Sequence, residues 1–276
     1  MSASRLAADV AVGTGLVDTH CHLALLDDRG LLDASLEAAE AAGVEQIISV
    51  GLNVEDSDRN RQIAEAHANV FFTVGWHPTE KAPPDSHQVA ALAELLHHPK
   101  AVAVGEIGLD GYFRPGYHET PLDVQVESLR AMCELAEAHS KPIIVHDRDT
   151  HDQVLAELAG FPAVTGVMHC FSGDAEFGAR CVARGMYLSF AGTVTFPRSE
   201  GIQAAAIHVP DTMFVVETDA PFLAPVPHRG RPNQPAYVVA TAARVAELRG
   251  VDVSVVAQTA GRNARTLFAL PDPQVT

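Results

Sequence analysis

The chain has 276 residues, of which 47% are hydrophobic and 20% charged, so it can bury a sizeable core and has the usual length of a single α/β barrel. Its formal net charge of −16 argues against bulk binding of nucleic acid, although a phosphate-bearing substrate stays open if metal ions supply positive charge locally. The four cysteines show no CxxC spacing and no segment reaches the ~20 apolar residues of a membrane span, so we expect a cytoplasmic protein without disulfides or membrane contact.

Short apolar runs alternate with longer, polar-faced segments along most of the chain. The runs are rich in Val, Ile and Phe, as strands buried on both faces should be. Eight such runs predict strands, in chain order Leu16–Thr19, Gln46–Val50, Val70–Val74, Ala101–Gly105, Pro142–Val145, Gly166–Met168, Met186–Phe190 and Met213–Val216.

Helical spacing of apolar residues marks the segments between these runs. Clear examples are Ser35–Ala42, Asp56–His67, Ser86–His97 and Asp123–Ser140. Eight strands alternating with helices predict a (β/α)8 TIM barrel rather than an open sheet, and no Gly-rich dinucleotide fingerprint follows the first strand. We expect residues 1–14 to be a flexible extension and residues 15–276 to form one barrel domain. Within it, Pro221–Pro235 predicts a long irregular loop over the barrel mouth, and two or three closing helices follow it.

The first predicted strand runs into Asp18-Thr19-His20-Cys21-His22. Side chains alternate along a strand, so Asp18, His20 and His22 share a face, where two imidazoles can chelate one metal ion. The alternative is that one histidine packs and the other is solvated. A buried Asp18 beside them suits a role in orienting an imidazole ring.

Four further strand ends carry residues that can bind metal. Glu106 closes the fourth run, where a carboxylate among apolar residues needs a metal ion or a basic partner. His146, His169 and Asp219 follow the fifth, sixth and eighth runs. Because barrel enzymes place their catalytic groups at the C-terminal ends of the strands, this recurrence predicts a metal site.

Other residues near these ends have secondary roles in this interpretation. Glu217 lies two positions before Asp219 and is expected to orient a histidine. His77, after the third strand, favours a loop or substrate contact over a metal ligand. Asp110 is interpreted as a turn or helix-cap residue. The remaining histidines, His118 among them, are expected at the surface.

At this point the sequence resembles the TatD family of metal-dependent deoxyribonucleases, within the amidohydrolase-type barrels. The resemblance extends from Leu16 to Leu270. It is carried by Asp18-x-His20-x-His22, Gly75-x-His77-Pro78, Gly105-Glu106-x-Gly108-Leu109-Asp110, His146-x-Arg148-Asp149, His169-Cys170-Phe171-Ser172-Gly173 and Glu217-Thr218-Asp219-x-Pro221. One departure is Met132, where the family pattern would place a second Gln after Gln125.

The resemblance implies how the candidate ligands are shared. His20, His22 and Asp219 would hold one divalent ion, His146 and His169 a second, and Glu106 would bridge them. The identity of the two metals stays open among Mg, Mn and Zn, because the histidine-rich set suits Zn or Mn while the family implies Mg.

We therefore predict a metal-dependent hydrolase that cleaves phosphodiester bonds of DNA, at short or single-stranded ends, by attack of a metal-activated water. Asp219 is the candidate general base, and Glu106 is the second catalytic candidate. Arg148 could bind a phosphate oxygen, or else pair with Asp147, Asp149 or Asp152. The expected partners are DNA ends or a small phosphodiester, with no stable duplex groove, and the chain is expected to be a monomer or weak oligomer.

Two alternatives stay open. The same metal site could hydrolyse a carboxylic ester, lactone, amide or aminoacyl ester, which a screen of phosphodiesters against lactones and amides would separate. A non-catalytic metal or nucleotide sensor on the same fold would show a broken ligand set, and none of the six candidate ligands is missing here.

Overall fold

The computed structural model describes residues 15–114 and 116–273. The expectation of a flexible extension at residues 1–14 lies outside these residues. Eight parallel strands pair in sequence order, and this confirms the predicted barrel. They are β1 (Leu16–Cys21), β2 (Val44–Ser49), β3 (Val70–Val74), β4 (Ala101–Asp110), β5 (Ile143–Arg148), β6 (Gly166–Met168), β7 (Met186–Phe190) and β8 (Phe214–Val216).

Helices connect successive strands and surround the sheet. Their bounds are α1 (Leu23–Asp27), α2 (Leu32–Ala41), α3 (Val54–Ala66), α4 (Ser86–Leu95), α5 (Leu122–Ala138), α6 (His151–Leu158), α7 (Ala175–Ala183), α8 (Glu200–His208), α9 (Val238–Arg249) and α10 (Val253–Phe268). Side chains cap several of them: Asn53 accepts a hydrogen bond from the Asp56 amide, and Asp85 forms a capping box with Gln88. Within the described ranges, no helix is both long and apolar enough to cross a membrane.

The interior of the barrel is apolar at one end and polar at the other. Val17, Ile48, Phe71, Val102, Ile144, Val167 and Val215 form a buried layer, which Leu267 and Phe268 at the end of α10 close from below. Two residues further along three of these strands come His146, His169 and Glu217. Since side chains alternate faces along a strand, these polar groups continue the interior face towards the C-terminal mouth.

The barrel closes between β1 and the segment after β8. Cys21 and Ala220 form a parallel bridge, the His22 amide donates to the Ala220 carbonyl at 2.7 Å, and the Asp219 amide donates to the His20 carbonyl at 2.9 Å. The closing seam therefore contains the backbone of three candidate ligands.

β4 is the longest strand, and it exceeds the prediction by five residues at its C-terminal end. The side chain of Gln125 in α5 holds this end in place: it accepts from the Asp110 amide at 2.7 Å and donates to the Asp110 carbonyl at 3.0 Å. Because of this extension, Glu106 lies inside the strand and is 2% exposed.

Candidate metal centre

The six candidate ligands converge at the C-terminal mouth of the barrel. Glu106 lies at the centre of the group, and its two carboxylate oxygens face two different sets of histidines. Oε2 lies 3.4 Å from His20 Nε2 and 3.8 Å from His22 Nε2. Oε1 lies 2.7 Å from His146 Nδ1 and 3.5 Å from His169 Nε2. One carboxylate thus joins two clusters of potential metal ligands.

The first cluster consists of His20, His22 and Asp219. The two Nε2 atoms are 3.4 Å apart, and Asp219 Oδ1 lies 3.8 Å from His20 Nε2 and 3.3 Å from His22 Nε2. Two nitrogen ligands of a tetrahedral zinc ion lie about 2.0–2.1 Å from the metal. At that bond length the two nitrogens would be separated from each other by roughly the 3.4 Å that separates the two Nε2 atoms here. The spacing and the mixed His and carboxylate donors fit a divalent cation.

The second cluster lies at Glu106 Oε1 and includes His77, which the sequence predicts as a loop or substrate contact rather than a metal ligand. His77 Nε2 lies 3.5 Å from Glu106 Oε1, and its ring is 5.0 Å from that of His146. His77, Glu106 and His146 together satisfy the geometry of a three-residue metal group. The structure therefore places His77 among the candidate ligands, and its contact with substrate stays a prediction.

Each histidine of the β5–β6 pair has a carboxylate at its far nitrogen. Glu217 Oε1 lies 2.7 Å from His169 Nδ1, and its role in orienting that ring stays a prediction. Asp110 Oδ2 lies 3.1 Å from His146 Nε2. A carboxylate behind an imidazole fixes the ring and its tautomer and increases its basicity, which is the usual arrangement behind a metal-binding histidine.

Asp110 has more than the turn role that the sequence indicates. It does accept the Tyr112 amide at 2.8 Å, as a turn residue would, but it is fully buried and also receives the Tyr117 hydroxyl at 2.7 Å. His118, expected at the surface, is buried beside it, with Nε2 3.4 Å from Asp110 Oδ1. Asp110 lies four residues after Glu106 on the same face of β4, and this spacing is the sequence signal that indicates its place near the candidate centre.

Asp18 lies near the centre but faces a different group from the one expected. It accepts hydrogen bonds from the Thr218 hydroxyl at 2.6 Å and the Thr218 amide at 2.9 Å. Among the contacts of the described residues, none joins its carboxylate to an imidazole ring. Asp18 therefore holds the turn that carries Asp219 against β1. Asp219 itself has a left-handed backbone, with φ of 58°, which Asp adopts more readily than most residues.

Charges in the centre strongly perturb the protonation of its groups. Burial would raise the pKa of Glu106, but His77, His169, His146 and His20 outweigh it and hold that pKa well below its usual range. Burial would lower the pKa of His169, yet Glu217 and Glu106 raise it to about 10. Likewise Asp110 and Glu106 overcome burial and raise the pKa of His146 to about 9. The carboxylates thus favour positive charge at this position, which a bound cation would also supply.

Glycines allow the strands to approach Glu106 closely. A Cβ on Gly75 would lie 2.1 Å from the Gly51 carbonyl oxygen and 2.4 Å from the Glu106 amide nitrogen. The Glu106 amide donates to that Gly51 carbonyl at 2.9 Å. The backbone of the central carboxylate is therefore fixed by contacts that only glycine permits.

Comparison with known proteins agrees with this geometry. The family model described as TatD related DNase matches residues 17–269. The chain belongs to the TatD family. It is 36% identical over 259 residues to the uncharacterized metal-dependent hydrolase YabD of Bacillus subtilis, covering 92% of this chain and 99% of that one. It is 32% identical over 246 residues to the 3'-5' ssDNA/RNA exonuclease TatD of Citrobacter koseri, covering 86% and 93%.

A solved structure supports the same assignment. The TatD homologue YjjV of Escherichia coli superimposes with a TM-score of 0.86 at 31% identity, over 93% of this chain and 98% of that one. This protein is a TatD-type metal-dependent hydrolase, and these relatives support the interpretation of the sequence as that of a nuclease.

Arg148 lies at the rim of this TatD-type centre. Its guanidinium carbon is 3.9 Å from the centroid of the Tyr112 ring and 5.5 Å from that of Tyr117. Within the described residues no ion pair joins it to a carboxylate. Two of the three expected alternatives pair elsewhere, Asp147 with His151 Nδ1 at 2.6 Å and Asp152 with Arg180 at 2.7 Å. Its charge is thus available to a ligand.

Proposed function

We propose that this TatD-type hydrolase cleaves phosphodiester bonds at the ends of short or single-stranded DNA, using two divalent metal ions held in the candidate metal centre. The observation that carries the proposal is the position of Glu106, whose Oε2 faces His20 and His22 while its Oε1 faces His146 and His169. A carboxylate shared in this way suits a pair of cations better than a single one. The Citrobacter relative, named an exonuclease, supports a nucleic-acid substrate.

We assign His20, His22 and Asp219 to one ion, His146 and His169 to the other, and Glu106 to both. His77 is a further candidate for the second ion. Two such ions would make a water molecule more acidic and stabilise negative charge on the phosphoryl oxygens. Mg, Mn and Zn remain the candidate metals.

The residues of the chain would supply the remaining steps. Asp219 is the proposed general base because its carboxylate is the most accessible of the four at the candidate metal centre. Its side chain is 11% exposed, against 3% for Glu106, 1% for Glu217 and 0% for Asp110. Arg148, which has no carboxylate partner within the described residues, would bind a non-bridging phosphate oxygen. Asp18 would act indirectly, by holding the turn before Asp219.

The negative charge of the protein limits the substrate. With a net charge of −16, the surface cannot gain affinity from many phosphate contacts, so we expect weak binding to long duplex DNA and a shallow salt dependence.

The four cysteines are all free thiols, which supports the expected cytoplasmic location.

The proposal is tested by metal analysis of the purified protein, combined with cleavage of oligonucleotides labelled at the 3' or the 5' end. We expect two metal equivalents and shortening from one end. Asp219→Ala should abolish turnover of bis-p-nitrophenyl phosphate, whereas His87→Ala, at an exposed histidine on α4, should not. Full activity of Asp219→Ala, or turnover of lactones or amides without turnover of phosphodiesters, would contradict the proposal.

A further inference from the structure

The exposed aromatic side chains of this protein lie around the mouth of the barrel. Among the described residues, three aromatic side chains are more than two-fifths exposed: Phe113 at 46%, Tyr117 at 41% and Phe222 at 46%. Phe113 and Tyr117 follow β4, and Phe222 follows β8. The other large exposed hydrophobic residues are all aliphatic. A single exposed hydrophobic residue is ordinary, but the gathering of all three rings at strand ends around the candidate metal centre indicates a binding surface.

Hydrogen bonds hold the backbone of Phe222 beside the candidate metal centre. Its amide donates to the Asp219 carbonyl at 2.8 Å, and its own carbonyl accepts the buried Asn233 side chain at 2.6 Å. The ring lies edge-to-face with the candidate ligand His22, with 5.7 Å between the ring centroids. The side chain is 46% exposed, so part of the ring is accessible to a ligand beside the candidate metal centre.

The loop after β4 forms a second aromatic surface. Tyr117 is fixed through its hydroxyl to Asp110, which contacts His146, and Phe113 packs at 5.2 Å from His118. Arg148 lies against Tyr112 in the same group. In a closed eight-stranded barrel with the strands in sequence order, β4 and β8 stand on opposite sides. The two aromatic surfaces thus lie on opposite sides of the metal centre.

We infer that these surfaces form a two-sided subsite that stacks unpaired nucleobases, Phe222 on one side of the scissile phosphate and Phe113 with Tyr117 on the other. The inference rests on the proposed function and specifies how the substrate is recognised. With a net charge of −16 the protein cannot hold a single strand mainly through its phosphates, whereas stacking is independent of charge and tolerant of sequence. Interior base pairs are stacked on both faces and a terminal pair exposes only its outer face, so a subsite that stacks a base on each side of the scissile phosphate favours single-stranded ends over blunt duplex.

The test compares two probes of equal length and phosphate number. One is a hexadeoxythymidylate, and the other is the same strand with one abasic residue at its 5' end and one at its 3' end. Binding of each fluorescently labelled probe to the metal-free protein is followed by anisotropy, and cleavage by the metal-loaded protein is followed separately. For the wild type we expect the abasic probe to bind at least about fivefold more weakly, because each stacked base contributes measurably to affinity.

Phe222→Ala and Phe113→Ala should each reduce this difference between the probes, mainly through Kd and KM rather than kcat, and Phe222→Trp should restore it. Val255→Ala, at an equally exposed residue on α10, is the matched control and should keep the wild-type ratio. Equal affinity of the wild type for both probes, with cleavage retained, would overturn the stacking subsite and leave the nuclease intact. Base-dependent binding without cleavage by the metal-loaded protein would instead overturn the proposed function.

Discussion

The buried carboxylate of Glu217 allows the metal-supporting role of a residue to be separated from its structural role. Its oxygens accept hydrogen bonds from the Cys170 amide at 2.9 Å and from the Ser189 hydroxyl, and Oε1 lies beside His169 Nδ1. In Glu217→Gln the amide oxygen can take the Oε1 position and the NH2 group can donate to Ser189. The variant therefore loses the negative charge and keeps the hydrogen-bond network.

The two substitutions at this position should have different consequences. Without the charge, His169 is less basic, and we expect roughly 10- to 100-fold weaker metal binding, or about 1.4–2.8 kcal/mol. Glu217→Ala removes the acceptor of two donors, the buried Ser189 hydroxyl and the partly buried Cys170 amide. At about 1–3 kcal/mol each, its free energy of unfolding should fall by about 2–6 kcal/mol.

Urea unfolding of the metal-free protein and metal titration of the folded protein measure the two effects. In the metal-free protein, Glu217→Gln should unfold at a midpoint between those of the wild type and Glu217→Ala, because it loses the charge that favours protonated His169 but keeps the hydrogen bonds; it should also bind metal weakly. Glu217→Ala should be the more destabilised variant even without metal. Glu94→Gln, at an 85% exposed carboxylate, controls for loss of one charge. If Glu217→Gln bound metal with wild-type affinity, or if both variants were equally destabilised, the assignment of Glu217 to His169 would be refuted.

Three further substitutions and one pH dependence can be checked in the same protein. Asp110→Asn should weaken metal binding to a similar degree, measured by titration, and an unchanged affinity would contradict its role behind His146. Gly108→Ala should lower the unfolding free energy by more than about 3 kcal/mol in urea, because φ is +146° there and the added Cβ would lie 2.0 Å from the His146 carbonyl oxygen; a near-native midpoint would refute this packing. Asp219→Asn should keep the left-handed turn and the fold, seen by circular dichroism, but lose turnover. In the folded protein the pKa values of His146 and His169 are raised to about 9 and 10, so their protonation stabilises the metal-free protein fully below about pH 6.5. This stability should be lost as the pH rises towards 9–10, and metal affinity should increase over the same pH range. A metal affinity that does not change with pH would contradict this prediction.

The sequence was sufficient to predict the barrel because each strand contains a short, mostly apolar run and the segments between the runs show helical spacing. The same logic predicted that His20, Glu106, His146 and Asp219 would converge, since parallel strands in a barrel bring their C-terminal ends to one mouth. Convergence follows from topology and needs no knowledge of side-chain contacts. Their assignment to particular metal ions remains a prediction.

Contacts behind these residues could not be derived in the same way. The hydrogen bonds of Asp18 to Thr218 link residues 200 positions apart across the barrel seam, and no local pattern specifies that pairing. The sequence predicts a turn at Asp110 because its apolar run ends at Gly105, five residues before β4 ends. The approach of His77 to Glu106 depends on how the loop after β3 folds back over the mouth, which periodicity does not describe.

The closing seam between β1 and the segment after β8 joins the two ends of the barrel through the backbones of His20, His22 and Asp219. Ions coordinated by these side chains would therefore also connect the first strand to the last. Removal of metal should then accelerate amide hydrogen exchange first at His22 and Asp219, before the amides of β4 and β5 respond. In such a barrel, metal binding at the centre and closure of the seam between the first and last strands depend on the same residues. A substitution that weakens metal binding is therefore expected to make the seam open more easily, and the reverse.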